Sequence, residues 1–474
     1  MPGREIRGAH PRRPLASRIV APMAATRFTH LRLALAGVVV ALASQPVSAQ
    51  APLRVLTVDT PAGATQVTSE AIKVKIYDDD ANAVAVMHAY GYFAKGGEGR
   101  PLMFLWNGGP GASCALLHSG FAAPQVADLA GGTGMVDNPL TMIDRCDLIY
   151  VDPVGTGFSR SIGKGNDEDF WNVRADAQAA AQFVATVIGQ RNWQQRAIYL
   201  CGESYGGIRV AAMLQPLRKL RVAVAGLLMI SPALETRTLW SSDHEEQLLR
   251  RHVDNVPTLA AIAVADGERH VADLRADIDA VCKFAHGPLR KAVSNQEVDW
   301  EDDEQLLAKV QYLTAGGRSS RGLRRDRYDA RMKSKPNYLC GVSNTILQQS
   351  VGTILKNAFG VPSIDDYEFM NRSVTRTWHS SKSVKNGYPW DVRATRMIAE
   401  ACKGGRGPRL FVASGWYDTI VPFAIARRLQ QDGAFGSCEV IVKDYPGGHA
   451  LYVDADAHKA FVSDLRSWLG CESV

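Results

Sequence analysis

Ser204 stands in Gly202-Glu203-Ser204-Tyr205-Gly206, a G-x-S-x-G pattern. A serine hydroxyl at its ordinary pKa is a weak nucleophile, so it needs a base, and the base needs an acid to orient it. Flanking glycines suit a turn too sharp for side chains. Such a turn lifts the hydroxyl above a sheet and points the next N–H at an oxyanion, with the partners following in the order Ser, Asp or Glu, His. Asp418 follows the apolar run LFVASG and His449 follows VIVKDY, each in a loop after an expected strand. Asp444 and Asp454 are rival acids near His449, but only Asp418 ends a strand of a preceding β-unit. His118 and His458 are alternative bases, and a lone helix-borne histidine such as His458 is expected on the surface.

Other glycine-rich turns could serve the same chemistry. Asn107-Gly108-Gly109-Pro110-Gly111 follows LMFLW and lacks the Lys-Ser/Thr ending of a phosphate loop. Adjacent glycines let backbone N–H groups approach a ligand closely, as a second oxyanion donor must. The turn Asp152 to Ser159 (DPVGTGFS) lacks the third glycine of a dinucleotide fingerprint and reads as structural support for the site. His244-Glu245 opens like a zinc-protease HExxH motif, yet Leu248 occupies the second histidine position. No metal or other cofactor is implied.

The elements that must position these residues are legible as patterns. Val55 to Tyr92 alternates β-branched and polar residues, predicting antiparallel strands at a sheet edge. Short, uniformly apolar runs then end in glycine turns, as strands buried on both faces of a parallel sheet do. A helix is expected over Asn172–Gln190. The alternation predicts an α/β fold with an open, mostly parallel central sheet flanked by helices. Between 234 and 387 charge rises and apolar positions take helical spacing, including RGLRRDRYDARMKSK. This predicts a mainly helical cap insertion, with residues 50–233 and 388–474 forming one discontinuous core.

Residues 1–49 read as an export signal: arginines, an apolar run from Leu31 to Ala43, then small residues at Val47-Ser48-Ala49. Met23 offers a more compact start. Cleavage after Ala49 leaves a periplasmic or secreted chain with no membrane anchor. The leader holds seven arginines against one acid, so 47 basic and 47 acidic residues remain of the 54 and 48. A nucleic-acid partner is therefore not needed. Eight cysteines follow the leader; their spacing shows no CxxC and does not select a pairing, and Cys201 reads as a buried free thiol. Oligomeric state is not legible.

The ordered set N-G-G-P-G, D-x-P-V-G-T-G-F-S, G-E-S-Y-G-G, a late Asp and G-H resembles the serine carboxypeptidase family (peptidase family S10) of α/β-hydrolases, its bacterial branch in particular. The resemblance spans about Pro101 to Val453. It implies Ser204 as nucleophile, His449 as base, Asp418 as orienting acid, and the N–H groups of Gly109 and Tyr205 as oxyanion donors. It further implies that Asn107 and a protonated Glu203 bind the free C-terminal carboxylate of a peptide substrate, favoured at acidic pH. Two departures stand out. Eukaryotic members usually carry a second glutamate where this chain reads Leu117 to Ala122, and Trp106 directly abuts Asn107 where many members have an intervening residue. An esterase or acyltransferase using the same triad is the alternative function, and a non-catalytic binding protein a more remote one.

Overall fold

The computed structural model describes residues 53–470, except 98, 129–133, 237–238, 240–248, 296–299, 317–324, 336–337, 341, 379–391 and 406. The expected leader, the His244-Glu245 pair and Cys471 lie outside the described residues.

Strands β1 (Arg54–Thr60), β2 (Gly63–Tyr77) and β3 (Ala83–Ala94) pair antiparallel at one edge of the sheet, as their alternation predicts. The sheet continues through β4 (Leu102–Trp106), β5 (Asp147–Val151), β6 (Arg160–Ser161), β7 (Ile198–Glu203), β8 (Gly226–Ile230), β9 (Arg409–Gly415) and β10 (Val440–Tyr445). The ten strands run β1-β2-β3-β5-β4-β7-β8-β9-β10, with the short β6 pairing onto β3. From β5 to β10 this path is parallel. Every residue of β4, β5, β7 and β8 is buried, which is why these runs are mostly apolar.

The helices used below are α1 (Ala115–Gly120), α2 (Val173–Gln190), α3 (Tyr205–Lys219), α4 (Asn255–Ala265), α5 (Leu274–Phe284), α6 (Asn344–Phe359), α7 (Arg372–Trp378), α8 (Ala394–Ala401), α9 (Ala424–Gln431) and α10 (Ala455–Gly470). Asn172 starts α2 by accepting the Ala175 N–H at 3.0 Å, which satisfies one donor of the first turn. One apolar core packs α2, α3, α8 and α9 on one face of the sheet, and a second packs α1, α6 and α10 on the other. Pairings such as Trp106 with Gly202, Glu203 with Ile230 and Ile230 with Ala413 end neighbouring strands at one level. The loops after β4, β7, β8, β9 and β10 therefore leave the same edge, where open α/β sheets place their sites.

Between β8 and β9 the described chain is largely helical, and α4 and α5 contribute to separate small apolar clusters. Residues 325–335, expected at helical spacing, form an irregular loop instead. Asp326 Oδ1 accepts the Tyr328 N–H at 2.7 Å, a local turn that competes with helix. Three of the loop's other backbone groups are engaged elsewhere. Thr419 N donates to Arg327 O at 3.1 Å, His449 N to Tyr328 O at 2.6 Å, and Ala330 N to Tyr417 O at 3.0 Å. These partners belong to the loops that carry Asp418 and His449, so tertiary contacts override the local periodicity.

Candidate active site

Ser204 occupies φ 58° and ψ −122° between β7 and α3, a backbone conformation that a non-glycine residue holds only when its surroundings enforce it. Its N–H donates to Ile230 O at 2.9 Å, and its carbonyl accepts from Gly207 N and Ala233 N, both at 3.0 Å. A Cβ on Gly202 would collide with the Gly206 carbonyl across the turn. A Cβ on Gly108 would sit 2.6 Å from Tyr205 N and 2.8 Å from Ser204 Cβ, so the loop after β4 lies directly against the elbow. Tyr205 opens α3, where first-turn N–H groups have no intrahelical acceptor.

A buried ion pair fixes both sides of this contact. Arg209 Nε donates to Asp176 at 2.9 and 3.0 Å, and its Nη1 donates to the Asn107 carbonyl at 2.6 Å. Asp176 also accepts from Tyr205 Oη at 2.9 Å. Burial raises the Asp176 pKa, against the pull of the Arg209 charge and of both hydrogen bonds. A strap from the inserted region braces the same loop: Asn371 N donates to Gly111 O at 2.8 Å and Thr375 Oγ1 to Pro110 O at 2.9 Å. Asn371 Nδ2 reaches Gly155 O at 2.9 Å, so the third glycine turn is tied to the second through the strap. Asp152 accepts the Cys114 N–H at 2.8 Å, completing that support.

Asp418 and His449 are brought into direct contact. His449 Nδ1 donates to Asp418 Oδ2 at 2.6 Å, while Asp418 Oδ1 accepts from Ile420 N and Val421 N at 2.8 and 3.0 Å. Ser231 Oγ donates to the His449 carbonyl at 2.7 Å. Ser231 follows Ile230, whose carbonyl holds the Ser204 N–H, so the end of β8 links the serine turn to the histidine turn. Among the described residues no hydrogen bond joins the Ser204 hydroxyl to His449. Burial pushes His449 down, but the Asp418 charge and hydrogen bond, with Glu203 behind them, leave its pKa raised.

The rival groups are engaged elsewhere. Asp444 accepts from Arg275, Arg427 and Trp416 Nε1. Asp454 accepts from Arg331 and from the Ala457 N–H in the first turn of α10. His118 lies in an aromatic cluster, 2.9 Å from Tyr92 Oη and stacked on Tyr150, and burial pushes it to about 3. The surface position expected for His458 is corrected: it is buried on the core face of α10 beside Phe121, which pushes it to about 4. Cys201 is buried and free as expected, whereas the pairing Cys402–Cys438 was not readable from spacing.

Glu203 and Asn107 meet beside Ser204. Asn107 Nδ2 donates to Glu203 Oε2 at 2.6 Å, and Asn107 Oδ1 accepts the Leu117 N–H at 3.0 Å. Burial pushes Glu203 up to about 7. The positive charge of His449 and the Tyr452 hydrogen bond oppose that rise, Asp418 adds to it, and the Asn107 bond opposes it again. A cavity of about 280 Å³ adjoins the site, lined by His449, Tyr328, Met332, Cys340 and Val453 among others.

Sequence reasoning missed Tyr452, Tyr328, Ser231 and the Arg209–Asp176 pair. The pair did leave a signal, since each is a lone charge on an otherwise apolar helix face (ADAQAAA and GGIRVAAM). Tyr452 also left one, lying three residues beyond His449 in the helical turn Leu451–Val453. Tyr328 left none, because its role depends on a loop that does not follow its own periodicity.

Residues 82–236, which hold the second, third and serine turns, match the model of the family described as serine carboxypeptidase. No curated protein matches the chain. Among solved structures, a peroxisomal alpha-beta-hydrolase from Saccharomyces cerevisiae is 13% identical, covering 86% of this chain and 91% of its own, with a TM-score of 0.41. A lipase assigned in Sulfolobus solfataricus is also 13% identical, at 89% and 99% coverage and a TM-score of 0.39. Brefeldin A esterase, described as a bacterial homologue of human hormone sensitive lipase, is 13% identical at 95% and 88% coverage, with a TM-score of 0.35. At these scores no substrate passes from those proteins to this chain.

Proposed function

We propose that this chain, whose residues 82–236 match the model of the serine carboxypeptidase family, is a hydrolase that removes C-terminal residues from peptides through an acyl-enzyme on Ser204. His449 takes the serine proton as Oγ attacks the last peptide carbonyl, and Asp418 keeps the imidazole oriented and stabilises its charge. The N–H groups of Gly109 and Tyr205 receive the developing oxyanion. His449 then returns the proton to the departing amino acid, and water releases the acyl group by the reverse path. The cavity beside His449 would receive a substrate side chain.

The observation that carries the exopeptidase reading is the buried Glu203–Asn107 pair next to Ser204. A carboxyl held protonated to about pH 7 donates to a substrate carboxylate, whereas the ionised form repels it. Two limbs follow. His449 must be neutral to act as base, so turnover falls as pH drops below its raised pKa. Preference for a free carboxylate falls as pH rises through about 7. Export of the chain is part of the proposal, supported by the leader pattern and by a disulfide, which persists in oxidising compartments.

The test is fluorophosphonate labelling together with kcat and KM for blocked dipeptides, their C-terminal amides and simple esters from pH 5 to 8. Labelling that survives Ser204→Ala would sink the catalytic reading. Ester cleavage with no preference for a free carboxylate at any pH would favour the esterase or acyltransferase alternative.

A further inference from the structure

We propose that Tyr452 is a specificity-determining residue of this site: its hydroxyl holds the Glu203 carboxyl so that Oε1 faces the terminal carboxylate of the substrate. The inference rests on the carboxypeptidase reading above. Tyr452 Oη donates to Glu203 Oε2 at 2.6 Å, and Asn107 Nδ2 donates to the same oxygen at 2.6 Å. Among the described residues both side-chain hydrogen bonds to this carboxyl end on Oε2. An oxygen that already accepts two donors is a poor place for the acid's own proton, so the O–H belongs on Oε1. With only the Asn107 donor left the proton is less firmly confined to Oε1, and a larger share of the protonated molecules presents an acceptor where the substrate needs a donor.

The tyrosine is itself firmly placed. It lies in the helical turn Leu451–Val453 that follows His449, and its ring packs on Phe121 at 5.7 Å. A Cβ on Gly120 would come within 2.9 Å of that ring. Base and orienting hydroxyl therefore sit on one short segment and are positioned together. The charged or titratable groups facing Glu203 are His449, Asp418, Cys201 and Cys340, together with Tyr452. Burial pushes the two thiols and the phenol up, so all three stay neutral over the working range. Tyr452 then donates at every relevant pH, which a second carboxyl in its place would not do.

Tyr452→Phe removes one oxygen and leaves the ring. The measurement is kcat and KM for a blocked dipeptide acid and its C-terminal amide from pH 5 to 8. The rate of fluorophosphonate labelling at Ser204 reports that the site remains folded. The acid-over-amide preference at pH 5 is expected to fall about five- to tenfold, carried by KM of the acid, as for loss of one hydrogen bond to a buried group. The pH at which that KM climbs moves upward, because ionised Glu203 has lost a donor. Equal change for acid and amide would reduce Tyr452 to a structural role and overturn the proposal. So would a preference and pH profile identical to the parent enzyme. A parent enzyme with no acid-over-amide preference would overturn the carboxypeptidase reading, and the assignment of Tyr452 with it.

Discussion

Glu203→Gln keeps the shape of the side chain but removes a group that the fold prefers protonated. The carboxyl rises from its ordinary 4.5 to about 7 because it is buried, with only 2% of the residue exposed. At 1.36 kcal/mol per pH unit, that difference corresponds to ~3 kcal/mol between protonated and ionised forms. The folded chain binds this proton more tightly than the unfolded chain does. Its contribution is fully present below about pH 4.5 and is lost as pH rises through about 7. Urea unfolding of Ser204→Ala, with and without Glu203→Gln, should be measured at pH 5, 6, 7 and 8; the serine change prevents self-digestion. The stability difference between the two proteins should swing by about 2–3 kcal/mol in favour of the glutamine variant across that range. A difference constant within about 0.5 kcal/mol would refute the claim that Glu203 is held protonated.

Arg209→Met leaves Asp176 buried without its cation and frees the Asn107 carbonyl, so it should cost about 3–5 kcal/mol in urea unfolding. The folded enzyme should also lose kcat more than KM, because the loop bearing Gly109 loosens. Adding Asp176→Asn should recover part of the stability, since the two residues couple directly. Asp418→Asn should lower kcat by about 10⁴-fold with little loss of stability. Asp444→Asn should do the reverse, because Arg275, Arg427 and Trp416 all depend on that carboxylate. Kinetics and melting curves on both variants check the assignment of the acid. Cys402→Ser with Cys438→Ser opens a loop of 36 residues and should lower stability by ~3–4 kcal/mol, read from the urea midpoint under non-reducing conditions.

Much of this site was legible because its residues sit at strand ends that announce themselves. The runs LMFLW, AIYLCGE and RLFVASG are apolar because both faces of the sheet are covered, and each ends in or leads into glycines that permit close backbone contact. Position at the end of a preceding β-unit's strand then separated Asp418 from Asp444 and Asp454. The loop 325–335 was not legible, because three of its backbone hydrogen bonds go to residues about 90 to 120 positions away. His458 was misplaced for a related reason: a single polar residue in an amphipathic helix does not reveal which way its face turns.

By itself the sequence determined the strand–turn–helix succession, the sharp turn at Ser204 and the places of Asp418 and His449 in the chain. These depend on local sterics and on the period of apolar residues. Only the tertiary structure decided which of two oxygens on Glu203 is held and that Arg209 reaches back to Asn107. It also decided that Tyr452 lies within 2.6 Å of a carboxyl 249 residues earlier. Those facts depend on strand register and on burial. A one-residue change in how β4 meets β7 would turn Asn107 away from Glu203, and no local pattern encodes that register.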